Sequence, residues 1–271
     1  MTPQIAFIGA GNMARAMISG LLARGFSSDQ LRASDPSEAA RNAISAMGVP
    51  QVSADPRVCL TGAHLAVLAV KPQVAAEALG EMATALEDQT ALLSIAAGIT
   101  TETLAKHVPA HTPIIRCMPN TPAMVGKGAT ALYAPDSVSK AHRDLAQQVT
   151  EAVGLAIWVK AEELLDAVTA ISGSGPAYFF ALLEATIEAG VDLGLEREQA
   201  SALALQTALG AAELARQSEH SVSELRRQVT SPGGTTEAAL QALSEGDFSA
   251  LVATAMASAA ARAKALAKEF G

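Results

Sequence analysis

Six residues near the start of the chain, Gly9-Ala10-Gly11-Asn12-Met13-Ala14, form a G-x-G-x-x-A pattern. It follows the β-branched apolar run Gln4–Gly9 and opens a stretch with helical spacing, Ala14–Arg24. That strand-to-helix context is what the dinucleotide fingerprint requires. Gly9 permits the tight turn, Gly11 lacks a Cβ and lets a pyrophosphate approach the backbone, and Ala14 is small enough for close helix–strand packing. The helix N-terminus offers free N–H groups and partial positive charge to the phosphate. Asp35 ends a second short run, Leu31–Ser34. An acid at that place accepts hydrogen bonds from the ribose hydroxyls of NAD and repels a 2′-phosphate. Ser34 beside it can instead donate to such a phosphate, with Arg41 the nearest base. Asp35 also suits the N-cap of a helix over Ser37–Ala46, with Pro36 at its first position. NAD and NADP therefore both stay open.

Further candidates lie at the ends of successive apolar runs. Lys71-Pro72 follows Leu65–Val70, at the strand end where ligands sit in open α/β sheets. Ser94-Ile95-Ala96-Ala97-Gly98 closes the next run with small residues, as a surface for flat ring packing would need. Arg116-Cys117-Met118-Pro119-Asn120-Thr121-Pro122 ends another, in a loop stiffened by its prolines. Asn120 there offers an amide to a nicotinamide carboxamide, and Arg116 suits either catalysis or the commoner strand-end ion pair. In the second half, Ser172-Gly173-Ser174-Gly175-Pro176 reads as an anion site or a flexible connector into a helix. Ser231-Pro232-Gly233-Gly234-Thr235-Thr236-Glu237 is more telling: two glycines and two threonines before a helix make a nest of N–H groups suited to a carboxylate. Its plainer reading is an ordinary helix start capped by Thr235, with Glu237 in the first turn. His64, His107, His111, His142 and His220 form no metal-type pair, and no G-x-S-x-G elbow occurs. Metalloenzyme and hydrolase readings lack support.

The elements that must position these groups follow from periodicity. Up to about residue 160, short apolar runs alternate with helical segments: Gln4–Gly9, Leu31–Ser34, Leu65–Val70, Ala91–Ile95 and Ile114–Cys117, then Ala129–Tyr133 and Leu155–Val159. Runs apolar on both faces belong to a parallel sheet covered by helices on both sides. The expected fold is α/β, a Rossmann-type doubly wound sheet over residues 1–160. Residues 161–271 carry only helical periodicity, notably Ala177–Leu193, Arg197–Gln217 and Phe248–Phe270. Leu203, Leu205 and Leu209 among many alanines leave broad apolar faces that a segment this short does not cover by itself. An all-helical dimerisation domain is expected.

Composition agrees with this class. Half of the 271 residues are hydrophobic and 17% charged, so a sizeable core needs no external staple. With aromatics at 3%, that core is built from Ala, Leu, Val, Ile and Met. A net charge of −8 without a basic cluster speaks against nucleic acid and against an anionic membrane surface. Cys59 and Cys117 are too few for a disulfide framework and read as buried thiols in a reducing compartment. The N-terminus enters a strand without a leader pattern, and no charge-free apolar stretch reaches membrane-spanning length. A cytoplasmic protein is expected.

Taken together, FIGAGNMA (Phe7–Ala14), AVKP (Ala69–Pro72), SIAAG (Ser94–Gly98), RCMPNTP (Arg116–Pro122), DAVTAISGSGPAY (Asp166–Tyr178) and SPGGTT (Ser231–Thr236) make the chain resemble the pyrroline-5-carboxylate reductase family over essentially its full length. The resemblance implies an oxidoreductase that reduces the C=N bond of 1-pyrroline-5-carboxylate with NADPH or NADH, the last step of proline biosynthesis. It implies a homodimer interlocked through the helical domain, with rings of dimers such as a homodecamer. It further implies cofactor contacts from Gly9, Ala10, Gly11, Asn12, Met13 and Ala14. Ser34, with Asp35 beside it, Ala69, Val70, Lys71, Pro72, Ser94, Ala96 and Ala97 would extend that site. Met118 and Asn120 would lie near the nicotinamide. Ser231, Gly233, Gly234, Thr235 and Thr236 would grip the substrate carboxylate, with the Thr236 hydroxyl facing the ring nitrogen as the catalytic candidate. No metal is implied. Many members carry an asparagine that contacts the cofactor where this chain reads Ala54-Asp55-Pro56, a departure from the family pattern at that one contact. The rivals are another imine or β-hydroxyacid reductase on the same architecture, and a non-catalytic dinucleotide sensor. Hydroxyacid enzymes need an acid–base lysine, and from residue 160 onward there are only Lys160, Lys264 and Lys268, none near the small-residue loops. A sensor has no need of the SPGGTT nest.

Overall fold

The structure is a computed structural model that describes residues 2–270. Among these, eight strands form one sheet: β1 (Ile5–Ile8), β2 (Leu31–Ser34), β3 (Gln51–Ser53), β4 (Leu65–Leu68), β5 (Ala91–Ser94), β6 (Ile114–Met118), β7 (Gly128–Tyr133) and β8 (Gly154–Trp158). Their order is β3-β2-β1-β4-β5-β6-β7-β8. The connecting helices are α1 (Asn12–Ala23), α2 (Glu38–Ser45), α3 (Pro56–Leu60), α4 (Ala75–Met82), α5 (Thr101–Ala105), α6 (Lys140–Glu151) and α7 (Leu164–Val168). The order of the first six strands is that of the dinucleotide-binding sheet, whose ligand crevice opens beyond the carboxyl ends of β1 and β4.

Side chains alternate across the strands and divide the core in two. Ile5 and Phe7 of β1, Leu65 and Val67 of β4, and Leu93 of β5 join one buried cluster with Met17, Ile18 and Leu21 of α1. Ala6, Ile8, Ala66, Leu68 and Leu92 face the other, against Leu60, Leu79 and Met82. Runs apolar at every position are thus explained by burial on both faces.

Two details differ from the sequence expectation. Gln51–Ser53 adds an edge strand beside β2 that the pattern did not mark. The pairing is parallel throughout except that β7 runs antiparallel to β6. The β6–β7 connection, residues 119–127, is too short for the crossover a parallel neighbour needs.

By contacts the chain divides into two compact units: residues up to Ser174 together with those from Ser258, and Gly175–Ala257. The boundary expected at residue 160 falls inside the first unit. The second unit holds α8 (Gly175–Asp192), α9 (Arg197–Gln217), α10 (Val222–Gln228), α11 (Thr235–Glu245) and the first part of α12 (Phe248–Phe270). Gly190 lets α8 approach α9, since a Cβ there would lie 3.2 Å from that of Ala200. Only Gly175, Ala200 and Ala204 of this unit are buried, while Phe179 is 66% and Leu209 63% exposed. Helix α12 is long and apolar enough to cross a membrane by length and composition alone. Its end belongs to the sheet unit, where Leu266 packs on Gly98 and Phe270 on the second core cluster.

Candidate active site

The turn after β1 is built as the fingerprint demands. Gly9 has φ +99°, and a Cβ on it would lie 2.5 Å from the Ala69 carbonyl oxygen, so both backbone and space require glycine. The Gly9 N–H donates to Ser34 O at 2.7 Å, and the Ala69 N–H to Ile8 O at 2.7 Å. The turn is thereby fixed between β2 and β4. Gly11 is different. It is the N-cap of α1 with ordinary backbone angles, and a Cβ there would meet nothing within 4 Å. Packing of the chain on itself does not require this glycine. No side chain caps α1, so its first N–H groups are left for another acceptor. An uncapped helix N-terminus beside a position kept free of a side chain fits a pyrophosphate. Asn12 accepts a hydrogen bond from the Arg15 guanidinium on the exposed side of the same turn. Met13 is half-buried and Ala14 fully buried against the sheet.

Asp35 does not cap α2; Ser37 does, accepting from Ala40 N. The Asp35 carboxylate instead accepts from Ala10 N at 2.8 Å and from Ser37 N at 2.9 Å, tying the glycine turn to the end of β2. Arg41 donates to the Asp35 and Pro36 carbonyls at 2.8 Å, which brings its guanidinium to the rim of the same turn. Ser34 is turned inward, buried, with its hydroxyl directed at Ala54 O. At the Ala54-Asp55-Pro56 departure, Asp55 caps α3, accepting from Arg57 N at 2.9 Å.

Further along the sheet edge, Ala69 and Val70 leave β4 half-buried and Lys71 is exposed before Pro72 starts a short turn. Ser94 is buried and accepts from Ala96 N, which closes the turn bearing Ala96 and Ala97. Met118 at the end of β6 packs against Gly173, where a Cβ would come within 2.7 Å of its methyl carbon. Asn120 is 9% exposed and both ends of its amide are engaged: Nδ2 donates to Ser172 O and Oδ1 accepts from Ala129 N, each at 2.9 Å. Its amide first holds the β6–β7 loop in place. The Ser172–Pro176 stretch, expected as an anion site or a flexible connector, is a π-helical turn over Thr169–Gly173 running into α8. Arg116 makes the strand-end ion pair, with Glu162 at 2.6 Å. Burial alone would push the Glu162 carboxyl up, but hydrogen bonds from Thr101 and Arg116 hold it below its ordinary value. Nothing in the sequence announced this partner, 46 positions away. Burial pushes the Cys59 and Cys117 thiols up, which leaves both unreactive.

In the second unit, the expected cap on α11 is corrected: Gly234, not Thr235, is the N-cap, and no side chain caps it. Thr235 is the first helical residue and Thr236 the second. Gly233 has φ +69°, which turns the chain so that Ser231-Pro232-Gly233 precedes the free helix end. The Gly233 N–H donates to the Glu237 carboxylate at 2.7 Å, so this nest already holds one carboxylate from its own chain. Ser231, Gly233 and Thr235 are exposed, and Gly234 and Thr236 half-exposed.

A sheet of this order with a glycine turn at its switch point, joined to helices with uncovered apolar faces, defines a dinucleotide-binding protein of the Rossmann type. Over 270 residues, spanning 100% of this chain and 99% of the relative, it is 48% identical to a pyrroline-5-carboxylate reductase of Pseudomonas aeruginosa. The chain belongs to the pyrroline-5-carboxylate reductase family. Its residues 162–266 match the family described as pyrroline-5-carboxylate reductase dimerisation, and residues 4–98 the one described as NADP oxidoreductase coenzyme F420-dependent. Among solved structures it is similar to a pyrroline-5-carboxylate reductase from Coxiella burnetii, with TM-score 0.94, 40% identity, and 98% of this chain and 99% of that one covered. A Plasmodium falciparum pyrroline carboxylate reductase with NADP bound gives TM-score 0.86 at 29% identity, with 98% of each chain covered.

Proposed function

We propose that this protein reduces the C=N bond of 1-pyrroline-5-carboxylate to give L-proline, with NADPH as reductant and NADH as a second cofactor. The observation that carries this is the pair of uncapped helix N-termini, at Gly11 and at Gly234, each led by glycines. One suits a pyrophosphate and the other a carboxylate, and the reaction needs a cradle for each.

The nicotinamide supplies a hydride; the chain's own residues bind, orient and exclude water. Gly9–Ala14 hold the pyrophosphate on the α1 N-terminus. Ala69–Pro72, Ser94, Ala96 and Ala97 line the path toward the nicotinamide, with Met118 and Asn120 at its end. Ser231, Gly233, Gly234 and Thr235 form the turn and helix start that hold the substrate carboxylate, through N–H groups of the first turn of α11 that the Glu237–Gly233 bond leaves free. The Thr236 hydroxyl hydrogen-bonds the ring nitrogen. A threonine is too weak an acid to be the ultimate proton source, so the imine arrives protonated or takes its proton from water. Holding the iminium carbon in line with the hydride is the largest contribution the protein makes.

The bipartite rim at the end of β2 supports use of both cofactors. Asp35 has both oxygens engaged by backbone N–H groups, while Arg41 reaches the rim as a cation for a 2′-phosphate. Residues 1–160 are assigned the dinucleotide-binding role and 161–271 the dimerisation and substrate-binding role, although 161–174 and those from Ser258 pack as part of the sheet unit. The exposed Phe179, Phe180, Leu203, Leu205 and Leu209 support self-association as a homodimer, and rings of such dimers, up to a decamer, extend it. Two buried, unpaired cysteines suit the cytoplasm. The test is oxidation of NADPH and of NADH, each with racemic 1-pyrroline-5-carboxylate, followed by loss of reduced-nicotinamide absorbance. Substrate-dependent oxidation is expected with both, faster with NADPH. No oxidation by protein that binds NADPH would refute this substrate.

A further inference from the structure

Glu162 lies on the segment between β8 and α7, outside every motif named above, yet its carboxylate is shared by two loops of the candidate site. Oε1 accepts from the Thr101 backbone N–H at 2.7 Å and from Arg116 Nη1 at 2.6 Å, and Oε2 accepts from the Thr101 hydroxyl at 2.6 Å. Thr101 begins α5 directly after the turn that carries Ala96 and Ala97. Arg116 is two residues before Met118 and four before Asn120 on β6 and its loop. Beyond α7, the π-helical turn meets the same loop at Ser172, whose carbonyl accepts from Asn120, and at Gly173, against which Met118 packs. Three largely buried, charge-assisted hydrogen bonds to one carboxylate are short and strong. Arg116 could have found an exposed partner at lower desolvation cost, and a buried pair is a poor source of net stability. Position is what this arrangement secures: it fixes the spacing between the β5 turn and the end of β6.

We propose that Glu162 is a positioning residue for the nicotinamide end of the cofactor, clamping the Ala96–Ala97 turn through Thr101 and the Met118–Asn120 loop through Arg116. This rests on the reading above that a nicotinamide dinucleotide lies along these loops. It assigns no contact between Glu162 and the cofactor. Its consequence is spatially selective: loosening the clamp weakens the nicotinamide arm and spares the adenosine arm held at β1 and β2.

The experiment measures the Kd of NADPH and of adenosine 2′,5′-bisphosphate, which lacks the nicotinamide, for wild-type protein, Glu162→Gln and Thr101→Val. Glu162→Gln withdraws the charge; Thr101→Val removes one hydrogen bond and leaves the ion pair intact. Glu162→Gln is expected to weaken NADPH about 10-fold, the size of one charge-assisted hydrogen bond, with the bisphosphate unchanged. Thr101→Val is expected to weaken NADPH alone, by about 3-fold. Equal losses for both ligands, or no loss for either, would overturn the proposal. Should Glu162→Gln not fold, the same split in Thr101→Val decides. Wild-type protein that binds the bisphosphate as tightly as NADPH would overturn the proposal and the cofactor reading together. A split retained in protein that does not reduce 1-pyrroline-5-carboxylate would sink only the substrate reading.

Discussion

Gly11 and Gly9 stand two residues apart in one turn, but packing requires only Gly9; with Gly11 proposed to admit the pyrophosphate, a substitution at each separates folding from binding. Gly11→Ser places a residue favoured at N-caps on a backbone with φ −71° and ψ −176°, where its Cβ meets no protein atom. The midpoint of thermal unfolding without ligand is expected to stay within about 1 °C, because caps among Gly, Ser and Asn differ by tenths of a kcal/mol. Gly9→Ala forces a left-handed backbone, costing about 1–2 kcal/mol, and drives a Cβ against the Ala69 carbonyl. For a chain of this size that lowers the midpoint by about 2 °C per kcal/mol or more. With NADPH at about 100 times its wild-type Kd, binding adds about 2.7 kcal/mol, or a rise of about 5 °C. The serine side chain stands where the pyrophosphate is proposed to approach, and its oxygen competes for the free N–H groups of α1. Binding weakened about 100-fold leaves about 0.4 kcal/mol at the same concentration, so the rise nearly vanishes. Thermal melts with and without NADPH make the comparison. A full NADPH-induced rise in Gly11→Ser, or a ligand-free midpoint as low as that of Gly9→Ala, would refute the assignment.

Thr236→Ala is expected to lower turnover with 1-pyrroline-5-carboxylate by about 10-fold or more, the range for a group handling a proton in place; unchanged turnover at saturating cofactor would remove Thr236 from the reaction. Burial pushes the Asp166 carboxyl up, against the nearby charges of Arg116 and Lys264. Such a group costs stability while ionised and ceases to do so once pH falls below its ordinary value. Asp166→Asn should therefore raise the melting midpoint at neutral pH, with the difference closing below about pH 4, and a gap that persists in acid would contradict the burial argument. Leu209→Glu puts a charge on an apolar helix face, at a residue that is 63% exposed in the single chain. Sedimentation should find a smaller assembly than wild type, and an unchanged mass would show that this face is not where copies meet.

Most of the sheet was legible because burial on both faces leaves a mark that needs no partner: LAVL at Leu65–Leu68 is apolar at every position. Gln51–Ser53 was not, because three residues with one apolar side chain at a sheet edge carry no period. The reversal at β7 is not encoded in its apolar pattern but follows from the short connection before it, a clue of length rather than composition. The glycine turn was readable because its requirements are local. Asp35 was only half readable. Its type fits a ribose acceptor and an N-cap alike, and the outcome, a bond to Ala10 N, depends on how closely β2 lies beside β1. Asn120, Arg116 and Glu162 show the limit most clearly. Glu162 meets Arg116 and Thr101 across 46 and 61 positions, Asn120 reaches Ser172 across 52 into a π-helical turn, and only the folded sheet edge brings them together.

The last helix has a consequence for synthesis. Residues from Ser258 onward group with the sheet, whereas Gly175–Ala257 do not. The helical unit is in effect an insertion within the sheet unit. Leu266 and Phe270, which close over Gly98 and the second core cluster, are made only after the whole helical unit. The nucleotide-binding layers can assemble early, but this corner stays open until the chain beyond the helical unit has emerged. Truncation after Ala257 would therefore injure the sheet unit, far from the cut in sequence.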